Sequence, residues 1–133
     1  MKYFILVLVL SVSTLSFGQQ SEAITTIDFV QILNGNSAEA VYYFQNNWKA
    51  LRETAIEKDY IQSFQVMETP FSEDAPFDMM LITTYASKEQ YELREVHFGK
   101  LIKEMGGLKL MNEKKPNAFR KTIFSKEMVR HWK

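Results

Sequence analysis

DMMLITTYA, residues Asp78–Ala86, carries apolar side chains on both parities of an extended chain: Met79 and Leu81 on one, Met80 and Ile82 on the other. Successive side chains of a strand point to opposite faces of the sheet, so this segment is apolar above and below. Burial on both faces belongs to a strand in the middle of a sheet. AITTIDFVQIL, residues Ala23–Leu33, has the same character, with Ile27, Phe29 and Leu33 on one parity and Val30 and Ile32 on the other. Two further apolar runs are diluted by polar residues: Ile61–Met67 by Gln62, Ser63 and Gln65, and Ala118–Phe124 by Arg120 and Lys121. Mixed polarity suits strands at the edges. Four strands are therefore expected, with the first and third central and the second and fourth outside.

Between the strands lie two helical patterns. Asn36–Tyr60 opens with Asn36 and Glu39 three residues later, a capping-box pairing, after the turn signal Asn34-Gly35. Val41, Phe44, Trp48, Leu51 and Ala55 follow at steps of three and four, which predicts one apolar stripe along five to six turns of helix. The second pattern begins at Ser87 with Gln90 as its box partner. It ends at Gly106-Gly107, where glycine accepts the left-handed backbone of a helix terminus. Glu68–Asp78, with two prolines and no period, reads as a loop, and Leu108–Asn117 as an irregular link. Ser125–Lys133 either extends the last strand or docks as a tail.

The order strand, helix, strand, strand, helix, strand is the α+β ferredoxin-like βαββαβ arrangement, an antiparallel sheet in the order 4-1-3-2. Right-handed crossovers place both helices on one face and leave the other bare. An apolar face in water costs about 25 cal/mol per Å² and marks an association site. A second copy, sheet facing sheet about a two-fold axis, is the economical cover. The expectation is a homodimer through the open sheet face, a dimeric α/β barrel.

The N-terminus has a separate meaning. MKYFILVLVLSVSTLSFG, residues 1–18, joins Lys2, the apolar run Tyr3–Leu10 and the small-residue exit Ser16-Phe17-Gly18. That is the form of a secretory signal peptide, with cleavage expected before Gln19, no stable membrane anchor afterwards, and a periplasmic or secreted destination. The mature chain, residues 19–133, has 115 residues, enough for a single domain. There is no cysteine, hence no disulfide framework and no lipid-attachment site. Net charge after cleavage is −1, but residues 109–133 hold 8 basic and 2 acidic residues. The expected explanation is a basic last strand beside acidic neighbours or in solvent, and nucleic acid is not an expected partner.

In element order and pattern the mature chain resembles the dimeric α/β-barrel superfamily. The segments YYFQNNWKALRETAIEKDYIQSFQVMETP and FDMMLITTYASKEQYELREVHFGKLIKEMG are similar to the two halves of small exported members. That superfamily includes antibiotic-biosynthesis-type monooxygenases, haem-degrading monooxygenases and stress-responsive barrel proteins. No catalytic motif travels with the likeness. The haem-degrading members pair a helix histidine with a first-strand asparagine and a tryptophan near the third strand. This chain has Asp28 and Tyr85 at those places, and only His97 could match.

Candidate site residues follow from positions the pattern does not explain. Arg94 falls within the stripe Tyr91, Phe98, Leu101, Met105 of the second helix. A guanidinium there cannot shed its charge. It must snorkel, or meet an acid (Asp28, Asp78 or Glu95) or an anionic ligand. His97 lies a quarter-turn off the stripe, with no second histidine, cysteine or close carboxylate pair to complete a metal set. A pocket between the second helix and the sheet would be lined by Arg94, Tyr91, Asp28 and Tyr85, with His97 at its flank. Glycine-rich phosphate loops and Ser-His-Asp constellations are missing, and no metal or cofactor is expected. Two functions remain open: a small-molecule-binding or structural module, its ligand a small apolar or anionic one, or a cofactor-independent monooxygenase of the antibiotic-biosynthesis type. A filled core inside the subunit favours the first, and an open cavity with Arg94 or His97 pointing inward favours the second.

Overall fold

The structure, a computed structural model, describes residues 21–132; segment 1–18, expected from the sequence to be a signal peptide, and the expected cleavage point before Gln19 lie outside the described residues. β1 (Ile24–Ile32) ends at a turn in which Asn34 and Gly35 take φ of 55° and 68°. Glycine adopts that left-handed backbone without steric cost. The first helical region is α1 (Ser37–Tyr43), a π-helical stretch Phe44–Lys49, and α2 (Ala50–Glu57). β2 (Ser63–Glu68) and β3 (Met79–Tyr85) come next, then α3 (Lys88–Glu92), α4 (Arg94–Met105), the short α5 (Pro116–Phe119) and β4 (Arg120–Arg130).

The sheet order is β2-β3-β1-β4 and every neighbouring pair is antiparallel. This is the ferredoxin-like α+β fold with the two doubly apolar strands in the centre. Both helical regions pack on one face. Ile24 and Tyr85 meet Ala55, Tyr91 and Leu101 in one buried cluster. Val30, Met79 and Leu81 meet Ala40, Phe44 and Phe119 in the other. The opposite face carries Ile27, Phe29, Met80 and Ile82, with Phe124 stacked on Phe29 at 4.4 Å and Phe77 set edge-on to it at 4.8 Å. No described helix lies over that face.

Several local expectations need correction. Asn36 does not cap α1 with its side chain. Its Oδ1 accepts from Lys114 Nζ at 2.7 Å, and Glu39 Oε1 accepts from the same amine at 2.6 Å, so a cation from the distant link has taken both members of the box. Half of the Ser87 box forms: Ser87 Oγ accepts from Gln90 N–H, while Gln90 Oε1 accepts from the N–H of Ala86, one residue before the cap, rather than from that of Ser87. The second helix breaks at Leu93, which serves as C-cap of α3 and N-cap of α4, and it closes at Gly106 with φ 76°. α5 straddles the expected link and strand: Ala118 and Phe119, expected to open the fourth strand, are helical, and β4 begins at Arg120. Ser125–Arg130 extends β4 rather than docking as a tail.

The long stripe is also reset. The π-helical stretch places an extra residue in a widened turn, which rotates the turns of α2 relative to those of α1. Val41 is left 38% exposed while Asn47 is 2% exposed. Asn46 and Asn47 donate their side-chain amides to the carbonyls of Tyr42 and Tyr43, four residues back, at 2.8 and 2.9 Å. Side-chain donors at these carbonyls support a turn that departs from regular i→i−4 bonding.

Candidate functional site

The helix-covered face of the sheet is not packed throughout. A cleft of about 240 Å³ opens between α2, α4 and the strands β1, β3 and β4. Its wall from the sheet is Thr26 and Asp28 on β1, Tyr85 at the end of β3 and Glu127 on β4. From the helices come Leu51, Arg52, Arg94, Glu95, Phe98 and Ile102. Asp28 and Tyr85 reach the helix side because they share strand parity with the buried Ile24, Val30 and Leu81.

Of the five residues singled out in the sequence, Asp28, Tyr85 and Arg94 line this cleft. Tyr91 stands just behind it, buried, with its ring set edge-on to Tyr85 at 5.5 Å and its hydroxyl donating to Glu127 Oε2 at 3.0 Å. His97 is elsewhere. Its ring stacks on Tyr60 at 3.7 Å and 8° between planes, and its Nδ1 is buried without a hydrogen-bond partner.

Arg94 is engaged by several protein groups. Nη1 donates to the Tyr91 carbonyl at 3.0 Å, the guanidinium lies 4.0 Å from the Tyr91 ring centroid, and carboxylates of Glu127 and Glu95 sit at 3.6 and 3.7 Å. Glu127 was not among the acids foreseen for it. A bulge delivers Glu127: β4 shifts register against β1 between Thr25 and Ile27, and Met128 takes φ 55° there. Bulges commonly re-aim side chains in this way. Asp78, foreseen as a partner, instead accepts from Ile32 N–H at 2.7 Å and secures β1.

Sequence reasoning missed Arg52. Its guanidinium lies 4.1 Å from the Trp48 ring centroid and 4.3 Å from that of Phe98, one aromatic from each helical region. Its single protein hydrogen bond among the described residues is Nε to Thr83 Oγ1, a long 3.4 Å. It forms no ion pair among the described residues. Burial lowers its pKa from 12.5 to about 10, with Tyr85 and Asp28 opposing that shift, so it is cationic at neutral pH. Burial likewise raises the Tyr85 phenol, with Arg52 acting in the opposite sense. The signal for Arg52 was present: it stands four residues after Trp48 and next to Leu51, one helical turn along the same side.

Other concavities offer less. A groove of about 400 Å³ between α1 and β2 has Phe44, Phe64, Val66 and Met79 in its wall, with Lys49 already paired to Glu53. On the open face, Thr25 Oγ1 bonds Thr84 Oγ1 at 2.8 Å and His131 Nε2 at 2.7 Å, a mutually satisfied set. Among the described residues, no group of three or more His, Cys, Asp or Glu side chains could hold a metal ion.

No family model and no curated protein sequence matches the chain. Solved structures to which the chain is similar include two from Bacteroides species. One is a dimeric protein of unknown function with a ferredoxin-like fold from Bacteroides fragilis, 10% identical, covering 81% of this chain and 98% of that one with a TM-score of 0.44. The other is a candidate antibiotic biosynthesis monooxygenase from Bacteroides thetaiotaomicron, 13% identical, covering 71% and 90% with a TM-score of 0.38.

Proposed function

We propose that the protein is an exported homodimer whose helix–sheet cleft binds a small molecule. The observation that carries the binding role is the cleft itself, a half-open space of about 240 Å³ between the helices and the sheet with Asp28, Arg52, Tyr85 and Arg94 in its wall. Polar groups converging on a partly apolar cavity are the usual form of a ligand site. The volume is small against the roughly 300–1,000 Å³ of common ligand pockets, which favours a compact ligand of one ring or a short chain. Native mass spectrometry of the purified protein tests the reading. A co-purifying small molecule, displaced when Ile102 at the cleft wall is replaced by Trp, supports it; an Ile102→Trp protein with unchanged ligand content counts against it.

The dimer reading rests on the open sheet face, where Ile27, Phe29, Met80 and Ile82 form an apolar centre. Export rests on the residue 1–18 pattern, and N-terminal sequencing of protein recovered from outside the cytoplasm should begin at Gln19.

A catalytic use of the same cleft, as a cofactor-independent monooxygenase, is favoured by one feature. Tyr85 places a buried phenol beside a cationic Arg52 in a space that could enclose substrate. Oxygen uptake with easily oxidised phenols, lost in Tyr85→Phe, would support it.

A further inference from the structure

We infer that the cleft takes a small hydroxy- or amino-substituted carboxylate, whose carboxylate is received by Arg52 rather than by Arg94. The inference rests on the cleft being a ligand site and specifies its chemistry.

The two arginines differ in what the protein leaves them to do. Arg94 has a carbonyl, two carboxylates and an aromatic face as partners. Arg52 has two aromatic neighbours and one long bond from Nε. Aromatic rings hold a guanidinium through its faces and leave its in-plane N–H donors unspent. Neither Nη of Arg52 has a protein acceptor among the described residues. A half-buried cation whose Nη donors have no protein acceptor among the described residues is complementary to a planar carboxylate, which accepts two parallel bonds.

The acids of the cleft narrow the class. Glu95 and Glu127 are engaged by Arg94. Asp28 accepts from Ser125 Oγ through Oδ1, while Oδ2 has no protein donor among the described residues. The charges left without a protein partner are thus one cation and one carboxylate oxygen. A bare anion would satisfy Arg52 and face Asp28 unfavourably. A carboxylate that also carries a hydroxyl or amino donor meets both. Leu51 and Phe98 supply apolar wall for a ring or short chain between the two ends.

The probes are 3-hydroxybenzoate and 3-hydroxybenzamide, alike in shape and donor but different in charge. Binding is read by calorimetry and by NMR shifts at the Trp48 indole and Arg52 Nε–H. Expected results are shifts at both groups with 3-hydroxybenzoate, and weaker binding of the amide. Arg52→Met should weaken 3-hydroxybenzoate by about tenfold or more while changing the amide by less than about twofold. Arg94→Met should leave the preference for the carboxylate in place. Equal binding of acid and amide to the unaltered protein overturns the inference and leaves the cleft reading standing. Loss of the preference in Arg94→Met but not in Arg52→Met also overturns it. No shift at any cleft residue with either probe removes the cleft reading and the inference together. If Arg52→Met does not fold, Arg94→Met decides: a carboxylate preference that survives it, with the acid shifting Arg52 Nε–H, supports the inference, and a preference lost with it overturns the inference.

Discussion

Asn47 holds the backbone of Lys109 at both ends: its Nδ2 donates to the Lys109 carbonyl and its Oδ1 accepts the Lys109 N–H, each at 2.8 Å. The same Nδ2 reaches the Tyr43 carbonyl at 2.9 Å. A buried side chain in the π-helical stretch thereby ties the link after α4 to the first helical region. Asn47→Ala leaves three backbone groups short of a partner and should destabilise the protein by about 2–4 kcal/mol. Asn47→Asp, which lacks the donor, should do no better. Urea unfolding with an unchanged slope is the check.

The acid limb of stability should report the Glu39–Lys114 contact. The hydrogen bond from Lys114, followed by that from Glu39's own backbone, lowers the Glu39 carboxyl from 4.5 to about 2. A depressed folded-state pKa stabilises above the unfolded value, and that stabilisation fades as pH falls through the folded one. Unfolding free energy should therefore decline from pH 4.5 toward 2, and Glu39→Gln should flatten that decline. Denaturant midpoints across the window test the sign.

The alkaline limb should report Tyr85. Burial raises its phenol above 10.0. A raised folded-state pKa contributes stability that is complete below the unfolded value and is lost as pH climbs toward the folded one. Stability should fall above pH 10.0, less steeply in Tyr85→Phe. A Tyr85→Phe protein with the same alkaline profile would show that other groups control it.

His97→Phe should be tolerated. The stack on Tyr60 needs only a flat ring, and the substitution removes a buried Nδ1 that has no partner. The expected change lies between neutral and about 1 kcal/mol of stabilisation. A loss of more than about 2 kcal/mol would mean that the imidazole has a polar role. Thermal unfolding measures it.

Ile82→Glu tests the open face. The side chain sits in the apolar centre of that face, opposite Gln65 on β2 and Ile27 on β1. A carboxylate buried there without a partner costs several kcal/mol, so the dimer dissociation constant should rise by about a hundredfold or more. The fold should persist because the helix-covered cores are untouched. Mass in solution against concentration is the measurement. An unaltered protein that is already a single chain at every concentration would sink the dimer reading.

Side-chain parity along the strands was enough to assign the sheet. The two-sided apolarity of Ile24–Ile32 and Met79–Tyr85 placed them centrally, and the polar residues of Ser63–Glu68 and Arg120–Arg130 placed those at the edges. That information is local, because a strand's period of two reports both faces at once. Ser87 and Gly106 bounded the second helical region for the same reason, through short-range backbone needs. The site was not local. Lys114 takes over the Asn36 box from 78 residues away, Glu127 reaches Tyr91 across 36, and Arg52 reaches Thr83 across 31. Which arginine is consumed by the protein and which keeps its donors idle depends on those encounters. A helical wheel could show that Arg94 needed a partner, but only the folded chain supplied Glu127 for it and, among the described residues, no ion-pair partner for Arg52, because charge pairing is settled by distance in space rather than by position along the chain.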